Sequence, residues 1–428
     1  MPVSIQALTD ALAGVVGRDR LLTDSPSLTS YAVDGLLPAW VARPTRVEEV
    51  SRLLTLASQE RLAVVPRGGG TVMDLGNPPR RVDGVLDLSD LSSVVDYEPA
   101  DLTASVQCGI SIGALAARLT ARRQFLPLDP LEGMSRSVGG VLATNGSGPL
   151  RYRYGTPRDL LLGVRFVQAD GTVTWGGARV VKSVTGYDVP KLMVGSLGTL
   201  GVLVEATLRL HPLPEAEGAW LATFSSAEGA AAFLARVLDS TLQPSRLEIL
   251  SDRAATTVAV SFGSVPEAVR AQGESVVALA RREGGRATEA PPGFWSSLRA
   301  LLADSTVLLK LAALPSDTAV LCGEIQRLGA GLGISAAIVG EAGNGILHVA
   351  LKGTLPTAEW EARVVLLLRE RLAPSGGSAV VERAPLPLKE RLDVWGPIDP
   401  AALAIMKRLK TEFDPLGVLN PGRYVDRI

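Results

Sequence analysis

Three loops made of glycine and small residues, all within one stretch, restrict this chain more than any other feature. The first, Pro66-Arg67-Gly68-Gly69-Gly70-Thr71, follows the short apolar run Leu62–Val65. Three successive glycines let a backbone reach positive φ and approach a ligand closely. Successive N–H groups in such a loop form a concavity suited to phosphate oxygens. Arg67 adds charge and Thr71 a hydroxyl donor. The second loop runs from Ser137 to Gly148, and the third from Gly195 to Gly201, just before the alternating strand pattern Val202, Val204, Ala206, Leu208, Leu210. Any one of them reads equally well as a plain sharp turn. Three in one domain imply a long ligand threaded along backbone amides, and an elongated dinucleotide fits. Neither G-x-x-x-x-G-K-[ST] nor a strand–G-x-G-x-x-G–helix unit occurs, which disfavours a P-loop or a Rossmann site.

Composition removes several other classes. Lys+Arg 43 against Asp+Glu 44, with no basic tail or stripe, leaves no electrostatic footprint for nucleic acid. The two cysteines, Cys108 and Cys322, belong to no C-x-x-C, so the chain offers no iron–sulfur or cysteine-rich zinc site of its own. They read as reduced, buried thiols. No signal peptide is recognised, and the longest nearly apolar stretch, Leu328 to Gly340, is too short and glycine-rich to span a bilayer. A cytoplasmic protein without a transmembrane segment is expected.

The length and the hydrophobic share of 46% suit two or three domains. Residues 1–39 read as an N-terminal helical segment, with an amphipathic helix from Met1 to Arg20. From 40 to 214 short strands alternate with helices; Val47 to Gln59 carries one apolar face. Arg158 to Ala169, Asp170-Gly171 and Thr172 to Trp175 read as a hairpin. His211-Pro212-Leu213-Pro214 breaks the pattern. Residues 215–410 read as an α+β domain with no internal sequence repeat, including a helix from Thr357 to Leu372 behind a Thr N-cap, and 411–428 as a tail.

The order Pro66–Thr71, Asp129–Pro130, Ser137–Gly148, Arg153–Asp159 and Gly195–Val202 resembles the FAD-binding domain of the vanillyl-alcohol oxidase/p-cresol methylhydroxylase (VAO/PCMH) flavoproteins. Phe413-Asp414-Pro415-Leu416-Gly417-Val418-Leu419-Asn420-Pro421-Gly422-Arg423 is similar to the tail of the FAD-linked oxidase C-terminal domain. Within this group, Gly176 to Ser196 and Asp393-Val394-Trp395-Gly396 resemble the FAD-binding subunits of glycolate oxidases. The resemblance implies an α+β protein: a two-subdomain PCMH-type FAD domain, an α+β cap with an antiparallel sheet, and a tail returning to the FAD domain. It implies that Arg67, Gly68, Gly69, Gly70 and Thr71 hold the FAD pyrophosphate through main-chain N–H groups. Asp129, Ser137, Val138, Gly139, Gly140, Thr144, Asn145, Gly148, Gly155, Gly201 and Val202 would line the FAD, with Asn420 approaching the flavin ring. Only His211 and His348 occur, neither in the family's attachment loops, and Cys108 reads as a core thiol, so non-covalent FAD is expected.

In the second domain, Glu341, His348 and Glu382 occupy the places where relatives bind a divalent metal through two histidines and a glutamate. The set reads as a degenerate site without metal, although a carboxylate–imidazole–carboxylate trio suits zinc or manganese. Arg299 and Lys310 stand where relatives grip a substrate carboxylate, and serve equally as solvated cations. Tyr187 and Asp188 read as packing or interface residues. The implied activity is hydride transfer from a 2-hydroxy acid such as glycolate to flavin N5, beside a second flavoprotein subunit and an iron–sulfur subunit. Two alternatives stand beside it: a catalytically idle FAD-holding scaffold or electron relay, and a standalone dehydrogenase for another hydroxy acid or an alcohol.

Overall fold

A computed structural model describes residues 5–178, 187–252 and 255–428. Of the glycolate-oxidase-like segment Gly176 to Ser196, residues 179–186 lie outside the described residues. The chain forms two compact units, 1–147 with 156–212 and 397–428, and 148–155 with 213–396. The helix Pro400–Phe413 therefore belongs to the first unit, whereas the sequence reading runs the second domain on to residue 410.

The first unit is built on two sheets. A four-stranded sheet sets Trp40–Ala42, Gly84–Asp87 and Val64–Arg67 parallel, with Leu21–Leu22 antiparallel at the edge. A five-stranded antiparallel sheet runs in the order Val94–Glu98, Thr103–Gln107, Val202–Arg209, Leu161–Val167, Val173–Gly177. The helix Val47–Gln59 buries Val47, Val50, Leu53, Leu54 and Ala57, the face read from the sequence, with Glu48 and Glu49 in its positive first turn. The hairpin forms, but its first strand begins at Leu161. Pro157 at the first helical position and the reciprocal Thr156–Asp159 capping box wind Pro157–Leu160 into a helix first. The opening helix spans Ile5–Val16 and ends at Gly17, whose φ is 88°.

Glu49 is 1% exposed and serves as an anchor for the chain entering this unit. Burial alone would raise its carboxyl. Arg20 Nη1 at 2.8 Å, the Thr45 N–H at 2.8 Å and Arg46 Nη2 at 3.0 Å outweigh that and bring its pKa down to about 2. A carboxylate depressed on folding stabilises above its unfolded pKa, and that stability is lost as pH falls through the folded value. Unfolding monitored between pH 5 and pH 2 should therefore show up to about 3 kcal/mol of acid-dependent loss that Glu49→Gln removes. A wild-type acid profile unchanged in Glu49→Gln would refute this anchor.

The second unit holds one antiparallel eight-stranded sheet: Arg286–Glu289, Ala216–Phe224, Ala255–Ser264, Arg246–Asp252, Ser335–Glu341, Ile346–Lys352, Val307–Ala312, Ser378–Arg383. Its first half follows the chain as strand, helix Ala227–Leu238, two strands, helix Pro266–Arg282, strand. The second half repeats that order, with helix Thr318–Leu332 and the helical stretch 357–372. Each half has spatial order 4-1-3-2 or its mirror listing 2-3-1-4, and the halves join where Arg246–Asp252 pairs Ser335–Glu341. The sequence carries no repeat, yet the fold is duplicated. The stretch 357–372 is helical as read, but Trp360–Leu366 winds as a π-helix. One apolar face of the sheet packs with these helices around Phe224, Phe233, Phe262 and Leu309.

Candidate functional site

A cleft of about 760 Å³, counted to its open mouth, lies within the first unit. The strand Val64–Arg67 delivers the first glycine loop to it, the turn before the helix Val138–Thr144 delivers the second, and the third descends from the segment ahead of Val202–Arg209. Ser137 locks the first two together: its Oγ caps the helix by accepting from Gly140 N–H at 3.1 Å, and also from Gly69 N–H at 3.4 Å. The third loop docks on the end of that helix, where Gly195 N–H donates to Leu142 O and Leu197 N–H to Ala143 O.

The last part of the chain closes the cleft. Val64 N–H donates to Val418 O at 2.7 Å, and Asn420 N–H to Val64 O at 3.0 Å, so the tail adds a short parallel bridge to the sheet edge. Asn420, with φ 48°, sends Nδ2 to Leu197 O at 2.6 Å. Arg423, 2% exposed, donates through Nη2 to Met73 O at 2.6 Å and to Leu75 O. Burial lowers its pKa, with Asp34 and Asp74 opposing.

Of the residues expected to hold the cofactor, Arg67, Gly68, Gly69, Gly70, Thr71, Ser137, Gly139, Gly140, Thr144, Gly201 and Asn420 line this one cleft. Val138 and Val202 do not: each is fully buried on the core side of its helix or strand, one position from a lining residue. Asn145 caps the helix in the left-handed conformation and lies outside the lining, as does half-buried Asp129. Gly148 and Gly155 belong to the second unit. The Arg67 guanidinium is engaged by its own neighbours, pairing with Asp87 at 3.3 Å and stacking over the Tyr31 ring at 4.3 Å. Its side chain thus braces the loop, and its main chain faces the cleft.

Arg136, Arg423, Cys108 and Met73 also line the cleft, and the sequence reading does not single them out for it. Arg136 is 2% exposed, pairs with Glu132 at 2.6 Å, and donates to Gly140 O at 3.1 Å and Thr144 Oγ1 at 2.5 Å. The Glu132–Arg136 spacing of four is the one trace of it in the sequence. Burial pushes the Cys108 thiol far up, with Glu205 adding to the rise, which keeps it protonated and a poor nucleophile. His211 pairs edge-on with Phe125 and does not line the cleft.

FAD fits this set of residues. Arg67, Arg136 and Asn420 line the cleft, and each keeps one buried polar atom, Nε, Nε and Oδ1, that no protein group satisfies. The helix Val138–Thr144 is short, but Gly139 and Gly140 in its first turn leave its wall bare of side chains.

Comparison with known proteins agrees. Residues 38–177 match the family of FAD binding domains, and residues 397–424 the C-terminal domain of FAD linked oxidases. The chain thus carries an FAD binding domain and ends in a segment similar to the FAD linked oxidases. It is similar to the glycolate oxidase subunit GlcD of Bacillus subtilis, 29% identical over 90% of this chain and 89% of that one. A probable mitochondrial D-lactate dehydrogenase of Danio rerio is 28% identical over 91% of this chain and 84% of its own. Among solved structures, p-cresol methylhydroxylase with substrate bound superposes with TM-score 0.77 at 16% identity, covering 98% of this chain and 96% of that one. The fold is therefore the VAO/PCMH type. Its cofactor is FAD, and the cleft geometry suits binding without a covalent link.

In the second unit, Lys310 lies opposite His348 across the strand pair Val307–Ala312 and Ile346–Lys352, and opposite Val380 on its other side. Glu382 occupies the bulge between the pairs Leu308/Arg383 and Leu309/Val381, and meets His348 Nδ1 at 2.9 Å. Glu341, 1% exposed, pairs with Arg151 Nε at 3.4 Å and accepts from Asn344 Nδ2 at 3.2 Å. Lys310, His348, Glu341 and Glu382 thus share one face of the sheet. Arg299 is exposed on the helix Phe294–Ala303. Among the described residues, no three His, Cys, Asp or Glu side chains gather as metal ligands. No described helix is long and apolar enough to cross a membrane.

Proposed function

We infer that this chain is an FAD-dependent oxidoreductase of the 2-hydroxyacid type, the FAD-binding subunit of a glycolate oxidase complex. The observation that carries the reading is the single cleft on which three glycine loops and the tail residues Asn420 and Arg423 converge. The names of its relatives, a glycolate oxidase subunit and a probable D-lactate dehydrogenase, support the substrate class. When bound, FAD supplies the hydride acceptor. The chain's own part is placement: the main-chain amides of Arg67–Thr71 receive the pyrophosphate, Ser137, Gly139 and Gly140 line the cofactor, and Asn420 holds the flavin end. Lys310, beside His348, and Arg299 bind the substrate carboxylate. The chain has two cysteines and neither lies in a C-x-x-C, so onward single-electron transfer falls to a second flavoprotein subunit and an iron–sulfur subunit in the cytoplasm.

A second reading, the idle FAD-holding scaffold, is favoured by one observation. Glu341 is already engaged by Arg151 and Asn344, and His348 by Glu382. Absorption spectra before and after anaerobic glycolate separate the two. Bleaching of the flavin bands in the isolated chain is expected, and Lys310→Met and Arg299→Met should each raise KM about tenfold with kcat little changed. Bands that persist with glycolate and D-lactate alike would leave the scaffold reading standing in its place.

A further inference from the structure

Three arginines line the cofactor cleft, Arg67, Arg136 and Arg423, and no aspartate or glutamate does. They differ in where the balancing charge lies. Arg67 pairs with Asp87, whose side chain is 5% exposed, and Arg423 sits among carbonyls in the field of Asp34 and Asp74. Arg136 is balanced from outside. Its side chain is 2% exposed, whereas that of its counter-ion Glu132, at 2.6 Å, is 31% exposed and does not line the cleft.

The neighbouring residues are shaped around this guanidinium. Nη2 donates to Gly140 O and to Thr144 Oγ1, and both residues line the cleft. A methyl at Gly146 would stand 2.6 Å from Nη1, so the glycine makes room for it. The two acceptors are neutral: they fix the charge behind the cleft wall and leave it uncancelled. Charges act more strongly where water is excluded, and solvent screens those at the surface. The field of Arg136 therefore reaches the cleft through protein, while that of Glu132 is weakened by water.

We propose that this asymmetric pair sets how tightly the chain holds FAD: Arg136 attracts the two negative charges of the diphosphate from behind the wall, and Glu132 keeps that attraction below its maximum. The proposal rests on FAD occupying the cleft, and it requires no contact between Arg136 and the cofactor. A guanidinium that merely braced the second glycine loop would behave differently. Removing either partner would then loosen the loop, and both variants would bind FAD more weakly. A field moves the two variants in opposite directions.

The test titrates FAD into the flavin-free full chain, followed by flavin fluorescence, for wild type, Arg136→Met, Arg136→Lys and Glu132→Gln. Glutamine at 132 keeps an acceptor for Nη1 and removes the charge. Arg136→Met should weaken FAD binding by at least about tenfold, and Arg136→Lys, which keeps the charge, should recover most of that. Glu132→Gln should tighten FAD binding by about threefold, a smaller change because the carboxylate is partly screened. The same variant should melt below wild type without FAD, since its buried cation has lost a counter-ion, and should gain more in Tm on saturation with FAD. FAD binding that is weakened or unchanged in Glu132→Gln overturns the proposal, as does Arg136→Lys binding no better than Arg136→Met. If methionine at 136 impairs folding, Glu132→Gln decides alone. Wild-type protein that takes up no FAD would overturn the reading of the cleft, and the proposal with it, before any variant is compared.

Discussion

Gly68→Ala/Gly69→Ala protein is expected to fold and to purify without colour. An alanine methyl at 68 would stand 2.0 Å from Ser137 Oγ, and one at 69 would stand 2.8 Å from Ser135 O. The first displaces the hydroxyl that caps the helix Val138–Thr144. The second forces the two loops apart, and the obstacle there is backbone, which has no rotamer to yield. Two or more N–H donors then miss an anionic ligand, at about 1.5–3 kcal/mol each, so FAD affinity should fall by at least about a hundredfold. Flavin fluorescence titration measures it, with far-ultraviolet dichroism reporting the fold. Gly14→Ala, whose added methyl meets nothing within 4 Å, is the control that should stay yellow. A yellow double variant would mean that these glycines form only a turn and that the pyrophosphate lies elsewhere.

The largest loss of stability is expected from Lys410→Met. The ammonium joins three pieces of the first unit: its own helix through Asp414, the third glycine loop through Thr199 O, and the tail through Leu419 O. The Asp414 side chain is fully buried and also accepts from the Val418 and Leu419 N–H groups, both at 2.8 Å. Burial lowers the Lys410 pKa, while Asp414 holds it up. Methionine keeps the length and removes the charge, which leaves a buried carboxylate without its cation and two carbonyls without a donor. Breaking one side of such a pair costs about 3–5 kcal/mol, a drop of about 10 °C in Tm for a unit of this size. Lys410→Met/Asp414→Asn should recover part of it, because the uncompensated charge has gone. A Tm within about 2 °C of wild type for the single variant would contradict this account.

These cases also mark what the sequence could reveal. Glycine loops are legible because the conformational demand is local: the residue type itself states what the backbone must do. Val138 and Val202 lie off the cleft lining for a geometric reason. Each neighbours a lining residue, but successive positions on a helix or strand point to different sides, and these two point into the core. Arg136 and Arg423 are hidden because a buried cation and a surface cation are the same letter until their partners are known, and for Arg423 those partners are backbone carbonyls, which no sequence displays. The duplicated half-sheets of the second unit escaped for another reason. A core accepts many apolar combinations of suitable volume, so two copies of one topology need share no residues. The helix Pro157–Leu160 was legible in principle, since Thr156-Pro157-x-Asp159 carries its own start signal, and the strong Asp170-Gly171 turn drew the strand too far back.

The bridge between Val64 and Leu419 has a consequence for when the cofactor can enter. Arg423 reaches Met73 across 350 positions of chain, and Asn420 reaches Leu197 across 223. Closing spans of that size is among the last and slowest events of folding. On a ribosome, the glycine loops emerge long before the segment that completes their cavity, and domains fold in order of synthesis. A nascent chain halted before residue 418 would hold no finished cleft. Flavin loading is then a step that follows translation of this segment, and the free FAD concentration at that moment sets how much of the protein matures.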